Sequence, residues 1–153
     1  MNFVGWIFLL LTVLAWGTTP IIEKYALKNV SPLNGLFIRS MAVFFICLVF
    51  FIPTGRLKDI FNLSYREIFL FAISGILAGF LGMYFYFYIL KINPSSKIVP
   101  LVATYPFVAV LLSMYFLREG ISWQRIVGTI LIVIGVLLVK WILRDYTDWL
   151  PDI

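Results

Sequence analysis

Five apolar runs, each near the length needed to cross a bilayer and separated by short connectors, leave this 153-residue chain little choice of fold. A helix crossing roughly 30 Å of hydrocarbon needs about 20 residues. Runs of that length fall at about residues 3–22, 32–52, 66–90, 94–117 and 123–141. Backbone polar groups in lipid must be satisfied within their own segment, which makes such runs helices. The expected fold is an all-α integral membrane protein with five transmembrane helices and a short polar tail at 146–153. Composition agrees, because only 12% of residues are charged, against about 25% in soluble domains. The longest connector, "PTGRLKDIFNLS", has no room for a soluble catalytic domain, so function must be built from the helices.

The ends of the runs carry start signals. Ser31 before Pro32 is expected as an N-cap with proline at the first helical position, and Asn93 before Pro94 repeats that device. Ser64 to Glu67, "SYRE", is a capping box, and Ser122 is placed to cap the last helix. Trp6, Trp123 and Trp141 fall near predicted ends, where amphipathic rings favour the water interface. "MNFVGW" has no basic n-region and no small-x-small cleavage site follows the first run, so that run is expected to be a retained helix.

Several chemistries are poorly supported. The sequence holds one cysteine, Cys47, and no histidine. Without these or a carboxylate cluster the usual metal ligands are missing, and no metal or cofactor is expected. The net charge of +5 is scattered through short loops rather than massed as a basic patch, so no nucleic-acid partner is expected. A membrane enzyme ranks last, since the spans hold no nucleophile and base pair.

Arg39 is the anomaly. It stands inside "SPLNGLFIRSMAVFFICLVFFIP", seven residues after Pro32 and so about 10 Å into its helix. A guanidinium in hydrocarbon costs on the order of 3 kcal/mol. Its stem either snorkels back to the interface or the charge faces protein or water.

Other polar and helix-breaking residues mark further candidates. In the first run "AWGTTP" ends with Thr18, Thr19 and Pro20, which are expected to loosen the helix, beside Trp16 with its N–H donor. In the third, Gly75, Gly79, Gly82 and Tyr86 follow a 4, 3, 4 spacing that puts them on one α-helical face, either for close packing or as a groove for a ligand. Tyr86 is expected to look into the bundle and Tyr88 toward the interface. In the fourth, Pro100 and Pro106 each remove a backbone hydrogen bond, so "ATYP" around Thr104 and Tyr105 is either a packing kink or a substrate site. In the fifth, Gly128 and Gly135 lie seven apart on one stripe, a candidate dimer seam.

The charge count does not select an orientation. With five spans, one face carries Arg56, Lys58, Arg66, Arg118 and Arg125, and the other Lys24, Lys28, Lys91, Lys97, Lys140 and Arg144. A bias this small fits insertion both ways and an antiparallel homodimer. The alternative is a single orientation set by something the count misses.

Three stretches together resemble the EamA-type domain of the drug/metabolite transporter superfamily. "AWGTTPIIEKYAL" resembles its opening motif, with Trp16, Gly17, Thr18 and Lys24. "SPLNGLFIRSMAVFF" is similar to its second helix, including the arginine. The stretch from "FYILKINPSSKIVPLVATYPF" through "LREGISWQRIVGTILIVIGVLLV" resembles its end. The resemblance covers about residues 6–139 within an expected five-helix domain at 1–145. It implies one half of a ten-helix inverted-repeat transporter, which pairs with a second copy.

The implied partners are that copy, a small-molecule substrate and the lipid bilayer, in a cell (inner) membrane. The implied substrate-binding set is Trp16, Thr19, Arg39, Tyr86, Tyr105 and Pro106. One cation among aromatic and hydroxyl groups suits a zwitterionic or anionic metabolite. The related small multidrug resistance branch carries protons on a first-helix glutamate; here "GWIFLLLTVLAWGTTP" has none, and Glu23, Glu67 and Glu119 fall near helix ends. Facilitated diffusion or exchange is therefore expected rather than proton antiport. A non-transporting scaffold or accessory subunit, and a lipid or lipid-linked sugar carrier, remain alternatives.

Overall fold

The computed structural model of the chain describes residues 2–117, 120 and 122–147, the side chains of Leu57, Arg125 and residues 139–147 excepted. Arg118, Glu119 and the tail from residue 148, together with the side chains of Arg125, Lys140, Trp141 and Arg144, lie outside that description. The chain divides into two compact units, Met1–Ile92 and Asn93–Ile153.

The first unit contains α1 (Phe3–Ala26), α2 (Pro32–Thr54), a single turn α3 (Leu57–Ile60) and α4 (Tyr65–Ser74), which continues through a π-helical stretch (Gly75–Gly82) into α5 (Met83–Ile92). Two expected caps are present. The Ser31 side chain accepts from the Asn34 N–H with Pro32 in the first turn. Ser64 and Glu67 bond each other's backbone N–H reciprocally. α2 stops at Gly55, whose φ of 65° is the left-handed C-cap conformation that costs glycine little.

The second unit contains α6 (Ser95–Val102), α7 (Tyr105–Leu112), a π-helical turn (Ser113–Leu117) and α8 (Trp123–Thr147). α6 and α7 pack on α8, and Ile98 and Val136 are its buried residues.

Among the described residues, four helices are long and apolar enough to cross a membrane: Phe3–Ala26, Pro32–Thr54, Tyr65–Ile92 and Ser95–Leu117. The fifth expected run lies in α8, a helix of 25 residues whose described apolar stretch is the shorter Ile126–Leu138. At most 6% of each spanning window is buried. Surfaces so apolar and so uncovered are what lipid or another protein surface must meet, and the chain is a multi-pass integral membrane protein.

Three local expectations are corrected. Thr18, Thr19 and Pro20 do not loosen α1, which runs unbroken to Ala26. The Thr18 hydroxyl donates to the Leu14 and Ala15 carbonyls and that of Thr19 to Ala15 at 2.7 Å, so both side chains bond back onto the turn where proline removes a donor. Asn93 is not the N-cap of α6; Pro94 is, with ψ 136°, and the helix begins at Ser95. The glycine face of the third span does not form as an α-helical stripe, because Gly75–Gly82 is π-helical and its wider i→i+5 turn displaces residues four apart. A Cβ at Gly75 or Gly79 would meet nothing within 4 Å, whereas one at Gly82 would lie 3.1 Å from the Leu77 carbonyl.

Candidate functional site

The core of the first unit forms where α5 packs on α2 and touches α1. Leu27, just past α1, Leu36 on α2, and Phe87 and Leu90 on α5 are all buried, Leu90 completely. Gly35 faces this seam, where a Cβ would sit in ordinary contact, 3.5 Å from both Leu27 and Phe87. One turn after Gly35 and Leu36, on the same face of α2, stands Arg39.

Arg39 meets protein: its Nη1 lies 3.5 Å from Oε1 of Glu23 on α1. The guanidinium carbon is also 6.0 Å from the centroid of the buried Phe87 ring, within cation–π range. The pair is lopsided. Glu23's side chain is 11% exposed and Arg39's is 42%. Oε1 of Glu23 is fully enclosed and accepts no hydrogen bond. At 3.5 Å the contact is an ion pair rather than a charge-assisted hydrogen bond, which would close to about 2.8 Å. Tyr86, half-buried on α5, lies within the electrostatic reach of both charges.

Two lysines fix the frame around this pair. The Lys24 ammonium donates to the Leu90 and Lys91 carbonyls at 2.7 and 2.9 Å, capping the C-terminal end of α5. Lys91 donates in turn to the Val30 carbonyl, in the connection between α1 and α2, at 2.8 Å. Cations at the negative end of a helix are favourable, and here they tie three helix ends together.

The sequence-derived candidates fall into three places. Arg39 and Tyr86 belong to the charged cluster. Trp16 and Thr19 precede Glu23 on α1 by seven and four residues, which puts all three along one helical face; Trp16 is exposed, and the Thr19 hydroxyl already donates to Ala15. Tyr105 and Pro106 open α7 in the second unit, after a break at Ala103 and Thr104. That break lies between the two prolines as expected, and it is closed locally: the Thr104 hydroxyl and N–H both donate to Leu101, and Phe107 N–H donates to Thr104. A Cβ at Gly128 or Gly135 on α8 would meet nothing within 4 Å.

Glu23 is the residue that the sequence reading passed over as a helix-end carboxylate. The available signal was electrostatic: a charge inside a span calls for an opposite charge, and Glu23 and Arg39 flank the same α1–α2 connection.

Residues 3–141 match the EamA-like transporter family. The chain belongs to this family. Its members are membrane transporters of the drug/metabolite transporter superfamily, not enzymes. This EamA-like chain is also 25% identical over 131 residues to an uncharacterized protein of Methanocaldococcus jannaschii, an alignment covering 86% of this chain and 92% of that protein. No solved structure matches it.

Proposed function

We propose that this EamA-like transporter moves a small metabolite or drug-like solute by alternating access as an antiparallel homodimer in a cell (inner) membrane. The observation that carries the reading is the Glu23–Arg39 pair within spanning helices, beside Tyr86. Intramembrane charges are costly and mark solute pathways rather than lipid-facing surface. Trp16 and Thr19 extend the same face along α1, and Tyr105 with Pro106 supply a phenol and a helix break of the kind found at transporter sites. The near-equal charge count on the two faces supports dual insertion, and the open stripe at Gly128 and Gly135 supplies a seam for close approach of two α8 helices.

Disulfide cross-linking tests the geometry. In a Cys47→Ser background, an antiparallel α8 pair joins Gly128→Cys of one copy to Gly135→Cys of the other, whereas a parallel pair joins like to like. Counterflow in proteoliposomes tests the activity. An accessory subunit predicts that Arg39→Gln disturbs assembly and that the wild-type chain carries no flux. Exchange that proceeds without an imposed pH gradient supports the uncoupled mechanism; strict dependence on the gradient overturns it.

A further inference from the structure

We infer that the connection between α2 and α4, residues 55–66, is a contact site for anionic phospholipid headgroups. The inference needs only that the flanking helices span the membrane, and it is independent of what the chain carries. Gly55 ends α2 in its left-handed conformation, and the short α3 follows. Backbone bonds from Asp59 to Arg56, Phe61 to Lys58, Asn62 to Asp59 and Leu63 to Ile60, at 3.0 to 3.2 Å, then tie residues three apart. At that spacing side chains three apart align along the turns. Ile60 and Leu63 therefore form an apolar row, Arg56, Asp59 and Asn62 a polar row, and Lys58 with Phe61 a mixed one.

The chain itself leaves this connection uncovered. Phe61 and Tyr65 are 87% and 93% exposed, the two highest values for large apolar side chains among the described residues. The α1–α2 connection is the opposite case: Leu27 is buried there, and the Val30 carbonyl accepts from the Lys91 ammonium. A connector between two spans sits where water meets lipid. Tyrosine favours that depth, and an apolar row on a polar turn enters the acyl boundary while its other side stays wet.

Charge selects the occupant. Arg56, Lys58 and Arg66 are exposed, and among the described residues no carboxylate pairs with any of them. Two carboxylates stand nearby. Glu67 is committed, since its Oε2 accepts from the Ser64 N–H at 2.8 Å, and Asp59 is exposed on the polar row. The excess is one cation. A second copy of the chain fits this surface poorly: placed parallel it brings the same three cations, and placed antiparallel it brings the connection that carries Lys28, so like charges oppose either contact. A headgroup phosphate supplies the missing anion, with oxygens that guanidinium and ammonium groups recognise.

The test uses the full chain in vesicles of phosphatidylcholine and phosphatidylglycerol. In a Cys47→Ser background a fluorophore is attached at Ile60→Cys, Leu63→Cys or Asn62→Cys, which leaves the three cations and both rings in place. Quenching by nitroxide-labelled lipid reads contact with the bilayer, and quenching by a neutral aqueous reagent reads contact with water. Lipid quenching is expected at positions 60 and 63 and aqueous quenching at position 62. Labelled phosphatidylglycerol is expected to quench more strongly than labelled phosphatidylcholine, as about fivefold tighter association, the contribution of one cation at an anionic surface. The triple variant Arg56→Gln, Lys58→Gln, Arg66→Gln is expected to lose that preference and keep the pattern of the rows. Equal quenching by the two lipids, water access at all three positions, shielding from both quenchers as a protein partner would give, or an unchanged preference in the folded triple variant overturns the inference. If the triple variant does not fold, the three labelled proteins still decide, since they carry the native charges.

Discussion

The charged cluster of the first unit and the α6–α7 break of the second both place polar groups within spanning helices, and they satisfy them in opposite ways. At the α6–α7 break the bonds are local: Thr104 and its neighbours bond within four residues along the chain. At the Glu23–Arg39 cluster the partners lie far apart in sequence, with Lys24 reaching residues 66 and 67 positions away. A locally closed break is a bend that one helix can make alone. A cluster closed across three helices exists only while those helices are packed, and its least satisfied atom is Oε1 of Glu23.

That contrast can be broken by substitution. The largest effect is expected for Arg39→Leu, which strands the enclosed Glu23 charge and costs roughly 3 kcal/mol, the lower end for buried pairs because Arg39 is partly exposed. Glu23→Leu is expected to cost about 1 kcal/mol less, since the guanidinium it releases can rehydrate. Unfolding in mixed micelles measures both, and equal losses would show that the two ends are equally enclosed. Both variants are expected to abolish counterflow.

Phe87→Ala comes next. It empties the packed seam under Arg39 and is expected to cost roughly 2 kcal/mol, less than the same change in a soluble core because separated helices remain in lipid. Lys24→Met removes the cap of α5 and is expected to cost about 1 kcal/mol. Thr104→Val, the probe of the locally closed break, is expected to cost only about 0.5 kcal/mol and to leave the helix ends packed, as site-specific hydrogen exchange at Leu90 and Lys91 would report. If Thr104→Val proves as damaging as Lys24→Met, the break does more than bend one helix.

The elements that sequence made legible are those governed by neighbours along the chain. Ser31 with Pro32, the Ser64 and Glu67 box, and the interruption between Pro100 and Pro106 follow from local bonding rules, and the structure contains each. Arg39 stood out because a charge in an apolar run is conspicuous by itself. Glu23 did not, since its role depends on how α1 meets α2, which no spacing within one helix encodes. The third span failed for a related reason. Its glycine spacing fits an α-helical stripe, but the backbone widened into a π-helix over those residues, and periodicity arguments assume the period they test.

That widened stretch reaches beyond its own surface. Every residue after Gly82 inherits its bearing about the helix axis from the number of wide turns before it, so the π-helical segment acts as a phase dial for α5. Gly82 holds the dial, because a Cβ there would press on the Leu77 carbonyl at 3.1 Å. Relaxing the stretch to ordinary α-helix would swing Tyr86, Phe87 and Leu90 together around the axis, away from Arg39 and from the lysine caps. The azimuth of the charged pair's aromatic floor is thus set upstream, in the π-helical segment that leads into α5.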